Sequence, residues 1–410
     1  MTYSQTNRFA LFFIFVTIFI DTVGLGIIIP VTPRIITTLT HQGMSEAARY
    51  GGWLMFVFAG MQFLCGPIIG NLSDRFGRRP VLILSLLAIG IDYTITGLAP
   101  TIAWLFVGRF LSGIAGASYV TANAYIADVT PPERRAQNFG LVGAAFGLGF
   151  IAGPAIGGLL GEHSARLPFF VSAGLAGVNA LYGLVVLRET LPRERRRAFE
   201  WTRSNPIGAL AALRRYPDVL GLCAVLVFMR LGHDANPTIW SYYTMLKFHW
   251  TPAEVGYSLM GVGVCIALVY GLLTRLVIPR IGEQRAVFVG ILCGAAGFIG
   301  YAVASRGWQL YPWMAVWSLF GLANPALNAI MSTAVPANEQ GELQGAIASI
   351  GGLTSIFAPL LLSNVFGYFT SATAPVYFPG AAFVAAGIFL LAAALIFAQT
   401  RPSPAAKPAI

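Results

Sequence analysis

Gly70-Asn71-Leu72-Ser73-Asp74-Arg75-Phe76-Gly77-Arg78-Arg79-Pro80 is a densely charged stretch wedged between two long apolar runs, 52–69 and 81–99. Runs of about 20 apolar residues are what a helix needs to cross a ~30 Å hydrocarbon core at 1.5 Å per residue. A connection this short joins its two spans as a hairpin, and its arginines mark the side of the membrane it faces. Its order of Gly, Asp, Gly and Arg reads as a jointed part, beyond what a connector requires.

The rest of the chain has the same character. Of 410 residues, 56% are hydrophobic and only 10% charged, against about 25% charged in a soluble domain. A soluble fold this apolar would aggregate, so lipid is the solvent. The closely spaced alternation of β-barrel strands is absent, which makes the spans helices. They fall near 9–33, 50–69, 81–99, 102–126, 138–160, 168–187, 219–245, 254–278, 286–304, 309–331, 344–368 and 377–398. The first is too long for a signal peptide, carries Asp21 and lacks a small-residue cleavage site, so it is retained. The expected fold is an all-α membrane protein of twelve transmembrane helices in two pseudo-symmetric six-helix bundles. Its parts are an N-terminal bundle (1–187), a linker with a short amphipathic helix near 205–213 (188–218), a C-terminal bundle (219–398) and a tail (399–410).

An even number of spans puts both termini on one side. That side receives Arg8, Arg75, Arg78, Arg79, Arg134, Arg135, the arginines of 188–215, and Arg275, Arg280, Arg285, Arg401 and Lys407. The other side holds only Arg34, Arg49, Arg166, Lys247 and Arg306. By the positive-inside rule both termini are cytoplasmic and the protein is multi-pass in the cell's inner (plasma) membrane. The net charge of +10 is thus a topology signal; a nucleic-acid surface with stacking aromatics is not found. Cys65, Cys223, Cys265 and Cys293 sit in apolar segments without metal-ligand spacing. The halves echo each other: Gly77-Arg78-Arg79 has a counterpart in Gly282-Glu283-Gln284, and Pro30 of span one in Pro237 of span seven. Internal repeats of this kind typify secondary transporters with a substrate path between the halves. In the second loop Pro279 stands where Asp74 would be expected.

A charge at membrane depth costs several kcal/mol and marks function or a partner. The candidates are Asp21, Asp92, Arg109, Arg230, His233 and Asp234. At 1.5 Å per residue, Asp21, Arg109 and Asp234 all lie about 20 Å from the same face, open to a shared central cavity. We read Asp21 and Asp234 as competing for Arg109 or Arg230, so that protonating one carboxylate releases an arginine. A static ion pair holding helices in register is the alternative. His233 suits a proton relay, with an ordinary pKa near 6.5, or a plain hydrogen bond. Asp92, in a third span that can be peripheral, is either lining or structural. Asp74 is placed to meet the N-terminus of span eleven, and Arg78 to pair with Asp128; with Gly70, Arg75 and Gly77 they form a cytoplasmic latch. The alternative for this stretch is a solvated run of topogenic charge. Gln62, Asn123, Asn236, Trp240, Tyr243, Asn324 and Asn328 are candidate substrate-lining residues, or helix–helix glue.

The pattern Gly70-x-Leu72-x-Asp74-Arg75-x-Gly77-Arg78-Arg79 resembles the loop 2–3 signature of the major facilitator superfamily. Asp21-Thr22-Val23-Gly24-Leu25-Gly26 through Pro30 is similar to the first-span motif of its drug:proton antiporters, and Gly108-Arg109-Phe110-Leu111-Ser112-Gly113 to the fourth-span motif with its buried arginine. Gly143, Gly147, Gly149, Gly153-Pro154 and Gly157-Gly158 match the fifth-span antiporter motif. Within the branch, 73–82, Asp92-Tyr93 and 145–154 resemble the tetracycline efflux proteins. The resemblance implies alternating access and proton-coupled efflux of small amphipathic organic compounds, with Gly149, Gly153, Pro154 and Gly157 as antiporter-motif residues. It also implies an acid in span nine and a histidine in span eight; the matching positions here are Gly294 and Ile266, while span seven carries Arg230, His233 and Asp234.

The expected partners are a small-molecule substrate, protons and the lipid bilayer, for a monomer without nucleic acid, cofactor or metal. The chain lacks a Gly-x4-Gly-Lys-Ser/Thr loop, His-Glu-x-x-His and Gly-x-Ser-x-Gly, which argues against ATP drive and intramembrane hydrolysis. The alternative function is transport of an endogenous metabolite or lipid-like organic anion, with proton coupling different or absent.

Overall fold

The computed structural model describes residues 3–116, 118–130, 135–197, 199, 217–336 and 339–400. The amphipathic helix expected near 205–213 and the tail beyond residue 400 lie outside them. Ten helices among the described residues are long and apolar enough to cross a membrane, and the bent pair Ile14–Ile28 and Thr32–Thr40 makes an eleventh. Ile102–Gly116 and Ser118–Val129 follow one another at the place of span four and complete the twelve. Large apolar side chains point outward, as Val185 (86% exposed) and Leu84 (65%) do; lipid, as apolar as they are, makes this costless.

The opening stretch is not a loop. Span two is one helix, Met44–Phe76, and span three starts at once as Arg78–Leu98. Gly77 alone turns the chain, at φ +106° and ψ 158°, a backbone that L side chains scarcely reach. Nothing between Gly70 and Phe76 breaks a helix, so its hydrogen bonding runs on past the apolar part. The same turn recurs at Gly282, φ +81°, between Thr274–Ile281 and Glu283–Val303.

Prolines interrupt three spans by removing one backbone donor each. Pro30 leaves the Gly26 carbonyl to Ile29 N, at 3.3 Å, and span one bends by 46°. Pro237 withholds a bond from the His233 carbonyl, and span seven divides into Pro217–His233 and Ala235–Phe248 around Asp234. Pro325 withholds one from Gly321, and span ten passes through a 3-10 turn, Leu319–Leu322. Span eight contains a π-helical turn, Val269–Leu273, closed by Thr274 N on the Val269 carbonyl.

The helices form two compact units. The first holds Met1–Gly43, Trp53–Asn205 and Trp250–Gly263; the second holds Met44–Gly52, Pro206–His249 and Val264–Ile410. These boundaries differ from the two chain halves at two places, and small residues are the reason. Gly256 lies against the Pro154 carbonyl and Gly158 against Pro252, so Trp250–Gly263 packs backbone to backbone on span five. Gly51 and Gly52 lie against Tyr242 and Ser363, and Ser45 Oγ donates to the Thr370 carbonyl at 2.8 Å.

Candidate functional site

In the first unit a cavity of about 330 Å³ is lined by Asp21, Gln62, Asp92 and Arg109, with Phe58 and Tyr93 among its apolar walls. Arg109 Nη2 meets Asp92 Oδ2 at 2.5 Å. Asp92 is wholly buried, and Thr96 Oγ1 donates to its second oxygen at 3.3 Å. The helices approach this closely because of Gly108, where a Cβ would run into the Asp92 carboxylate. The guanidinium also lies over Phe58, 5.8 Å from the ring centroid.

Asp21, read in the sequence as a contender for Arg109, is not its partner in this structure. Asp92, on the adjacent span three, holds the arginine. Asp21 instead accepts from Asn179 Nδ2 at 3.3 Å, and the same amide reaches the Thr17 carbonyl at 3.1 Å. Asp21 forms no ion pair among the described residues. The wall thus carries one arginine and two acids, only one of them bonded to it. Gln62 Nε2 donates to the Gly116 carbonyl at 3.1 Å.

In the second unit His233 Nδ1 lies 3.3 Å from Asp234 Oδ1. Ser355 Oγ is 3.5 Å from Asp234 Oδ2, the limit for a hydrogen bond. The His233 ring packs on Trp317 and Phe320, with centroids 6.0 and 6.2 Å away. A cavity of about 220 Å³ is lined by Arg230, Tyr270, Asn324 and Asn328.

Trp240 and Tyr243, read in the sequence as substrate-lining candidates, line neither cavity. They are 1% and 0% exposed and form the aromatic core of the second unit. Trp240 meets Tyr301 edge-on at 5.0 Å, and Tyr243 meets Phe383 at 4.9 Å. Asn236, 8% exposed, lines neither cavity. The side chain of Asn123 lies outside the described residues.

In the charged stretch, Asp74 Oδ1 sits 2.5 Å from Arg78 Nη1, four residues on. Arg78 also reaches Asp128 Oδ2 at 3.4 Å and Ser73 Oγ at 2.6 Å. Gly70 accepts from Ser73 Oγ, and Arg75 lies over Phe76. Sequence reasoning missed a further acid at a helix N-terminus in this unit. Glu189 accepts from the backbone N–H of Arg78 at 2.9 Å and Arg79 at 3.3 Å, the first two residues of span three. An anion there meets the positive end of the helix dipole. Its only sequence signal is an acid standing among the arginines that follow span six.

The span-five glycines form a stripe at every fourth residue. A Cβ at Gly149, Gly153 or Gly157 would strike Thr22 and Phe19, Val23 and Gly26, or Ile27, all of span one. Pro154, inside this continuous helix Arg135–His163, sits against Gly26. Close backbone packing positions span one, and with it Asp21.

Helices of bilayer length with charged side chains on cavity walls are the arrangement of a multi-pass membrane transporter. The chain belongs to the Major Facilitator Superfamily, whose family model matches residues 14–359. The class C tetracycline resistance protein of Escherichia coli is 40% identical over 361 residues, 87% of this chain and 89% of the relative. Multidrug resistance protein 2 of Bacillus subtilis (strain 168) is 30% identical over 349 residues, 84% and 85% of the two chains. The crystal structure of nucleoside transporter NupG superposes with a TM-score of 0.77 at 12% identity, covering 95% of this chain and 98% of that one; it attests the fold alone.

Proposed function

We propose that the protein is a proton-coupled exporter of amphipathic drugs of the tetracycline or multidrug type, working by alternating access as a monomer in the inner membrane. The basic-residue asymmetry of the sequence supports cytoplasmic termini. The observation that carries the reading is Asp21, an acid on the wall of the first cavity whose partner is an amide, beside an Asp92–Arg109 pair that is already closed. Asp92 is bound to an arginine, whereas Asp21 has an amide and no ion pair among the described residues, and a carboxylate without a bound counter-charge is the one free to exchange a proton. Asp21 is therefore the proton carrier, and Asp92–Arg109 the fixed charge pair that sets its surroundings. His233 and Asp234 are a second proton-handling pair. The resistance proteins among the relatives support drug as cargo.

The test uses inside-out vesicles carrying the purified protein, with an acidic lumen. Tetracycline accumulates in proportion to the pH gradient. Asp21→Asn loses gradient-driven accumulation at least tenfold but retains drug–drug exchange. Accumulation that ignores the gradient, or an Asp21→Asn variant indistinguishable from wild type, would sink the reading.

A further inference from the structure

We propose that the cavity around Arg230 in the second unit binds the carboxylate of a small aromatic acid, or a carboxylate-bearing arm of a larger cargo. Arg230 lies eleven residues into the helical stretch Val219–Phe248, about 17 Å from its start at 1.5 Å per residue. An arginine at that depth requires a counter-charge, and no described residue supplies one. Arg230 forms no ion pair with a described residue, and its buried Nε has no hydrogen-bond partner. The neighbouring acid, Asp234, is turned onto His233 and Ser355. The first unit is unlike this, since its Arg109 is closed by Asp92.

The walls are chemically divided. Arg230, Tyr270, Asn324 and Asn328 supply donors, and Leu226, Leu327, Met331 and Ile347 the apolar remainder. Tyr270 and Asn324 share this wall, and Gln344 Nε2 donates to Asn328 Oδ1 at 3.3 Å, which leaves the Asn328 amide nitrogen for a ligand. A guanidinium takes a carboxylate through two parallel hydrogen bonds. About 220 Å³ holds roughly seven waters at ~30 Å³ each, the space of a small aromatic acid of one or two fused rings.

The backbone is irregular at the same place in two spans. Tyr270 belongs to the π turn Val269–Leu273. Asn324 and Pro325 follow the 3-10 turn Leu319–Leu322, and Gly321 of that turn lies beside Val269 and Tyr270. Irregular backbone at membrane depth survives where it lines a cavity, and π turns gather at functional sites. Without that turn Tyr270 would take a different angle around its helix.

The inference rests on the transport reading only for the bound group being cargo; binding itself is measured separately. Purified full-length protein is titrated with 2-naphthoate and its uncharged counterpart 2-naphthamide. Naphthoate binds wild type at least tenfold more tightly than the amide does. Arg230→Gln abolishes that preference, and Arg230→Lys, which keeps the charge but not the fork, restores part of it. Asn328→Ala, a milder change that keeps the arginine, weakens naphthoate several-fold and leaves the amide unchanged. Equal affinities for acid and amide in wild type, or a preference that survives Arg230→Gln, would overturn the proposal. Tetracycline accumulation by wild type in the vesicles reports on the export reading independently, so either can fail while the other stands.

Discussion

The turns at Gly77 and Gly282 bend the backbone alike, at φ +106° and +81°, yet their surroundings have nothing in common. A Cβ at Gly77 would strike the Glu189 carboxylate and approach Arg196, whereas at Gly282 it would meet nothing within 4 Å. Around Gly77, Asp74 and Asp128 clasp Arg78, and Glu189 closes the start of span three. Around Gly282 the matching positions are Pro279 and Glu283, and Glu283 is exposed. A repeat therefore keeps what the hairpin geometry demands, a glycine dihedral, while the side chains that lock one turn are free to disappear from the other.

The largest effect expected from breaking this comparison is at Gly77. Alanine there costs the ~1–3 kcal/mol of a Gly-only backbone and also displaces Glu189. We expect poor recovery of folded protein and at least a tenfold loss of gradient-driven flux. Gly282→Ala bears only the backbone cost and keeps most of its flux. Equal damage from the two would show that the clasp contributes nothing. Next in size is Glu189→Gln, which weakens the charged acceptor at the helix N-terminus by about 1 kcal/mol, read as a lower apparent melting temperature. Asp74→Asn removes a partly exposed i,i+4 pair worth about 0.5 kcal/mol; in an Arg78→Gln background the same change has no further effect. The smallest change would sharpen the comparison by building the missing clasp. Pro279→Asp with Glu283→Arg is expected to raise the melting temperature slightly, by no more than such an exposed pair allows.

Much of this was legible in the chain. Apolar runs of bilayer length, split by polar turns, count out twelve spans because lipid lets no backbone group go unpaired, so each span must be complete in itself. Asp21, Asp92, Arg109, Arg230, His233 and Asp234 stand out for the same reason, as charges in apolar text. Other features were hidden. Gly70–Phe76 reads as a loop because it is polar, but polarity does not end a helix; Gly77 does. Trp240 and Tyr243 look like ligand-facing aromatics because Asn236, Ser241 and Thr244 stand among them, yet nearly all of Ala235–Met245 is buried, polar residues included. The π turn at Tyr270 has no local residue that demands it.

The chain by itself determined the class of machine: the spans, their prolines and glycines, and which charges enter the membrane, all of them properties of a residue and its near neighbours. Only the tertiary structure decided who meets whom. Arg109 takes Asp92 and leaves Asp21 to Asn179, Glu189 reaches back across more than a hundred residues of chain to cap span three, and Arg230 is left facing a cavity that no described acid lines. Pairings of this kind depend on how closely two distant helices pack, and that distance is set by side-chain volume at the contact, as at Gly108, which no local pattern encodes.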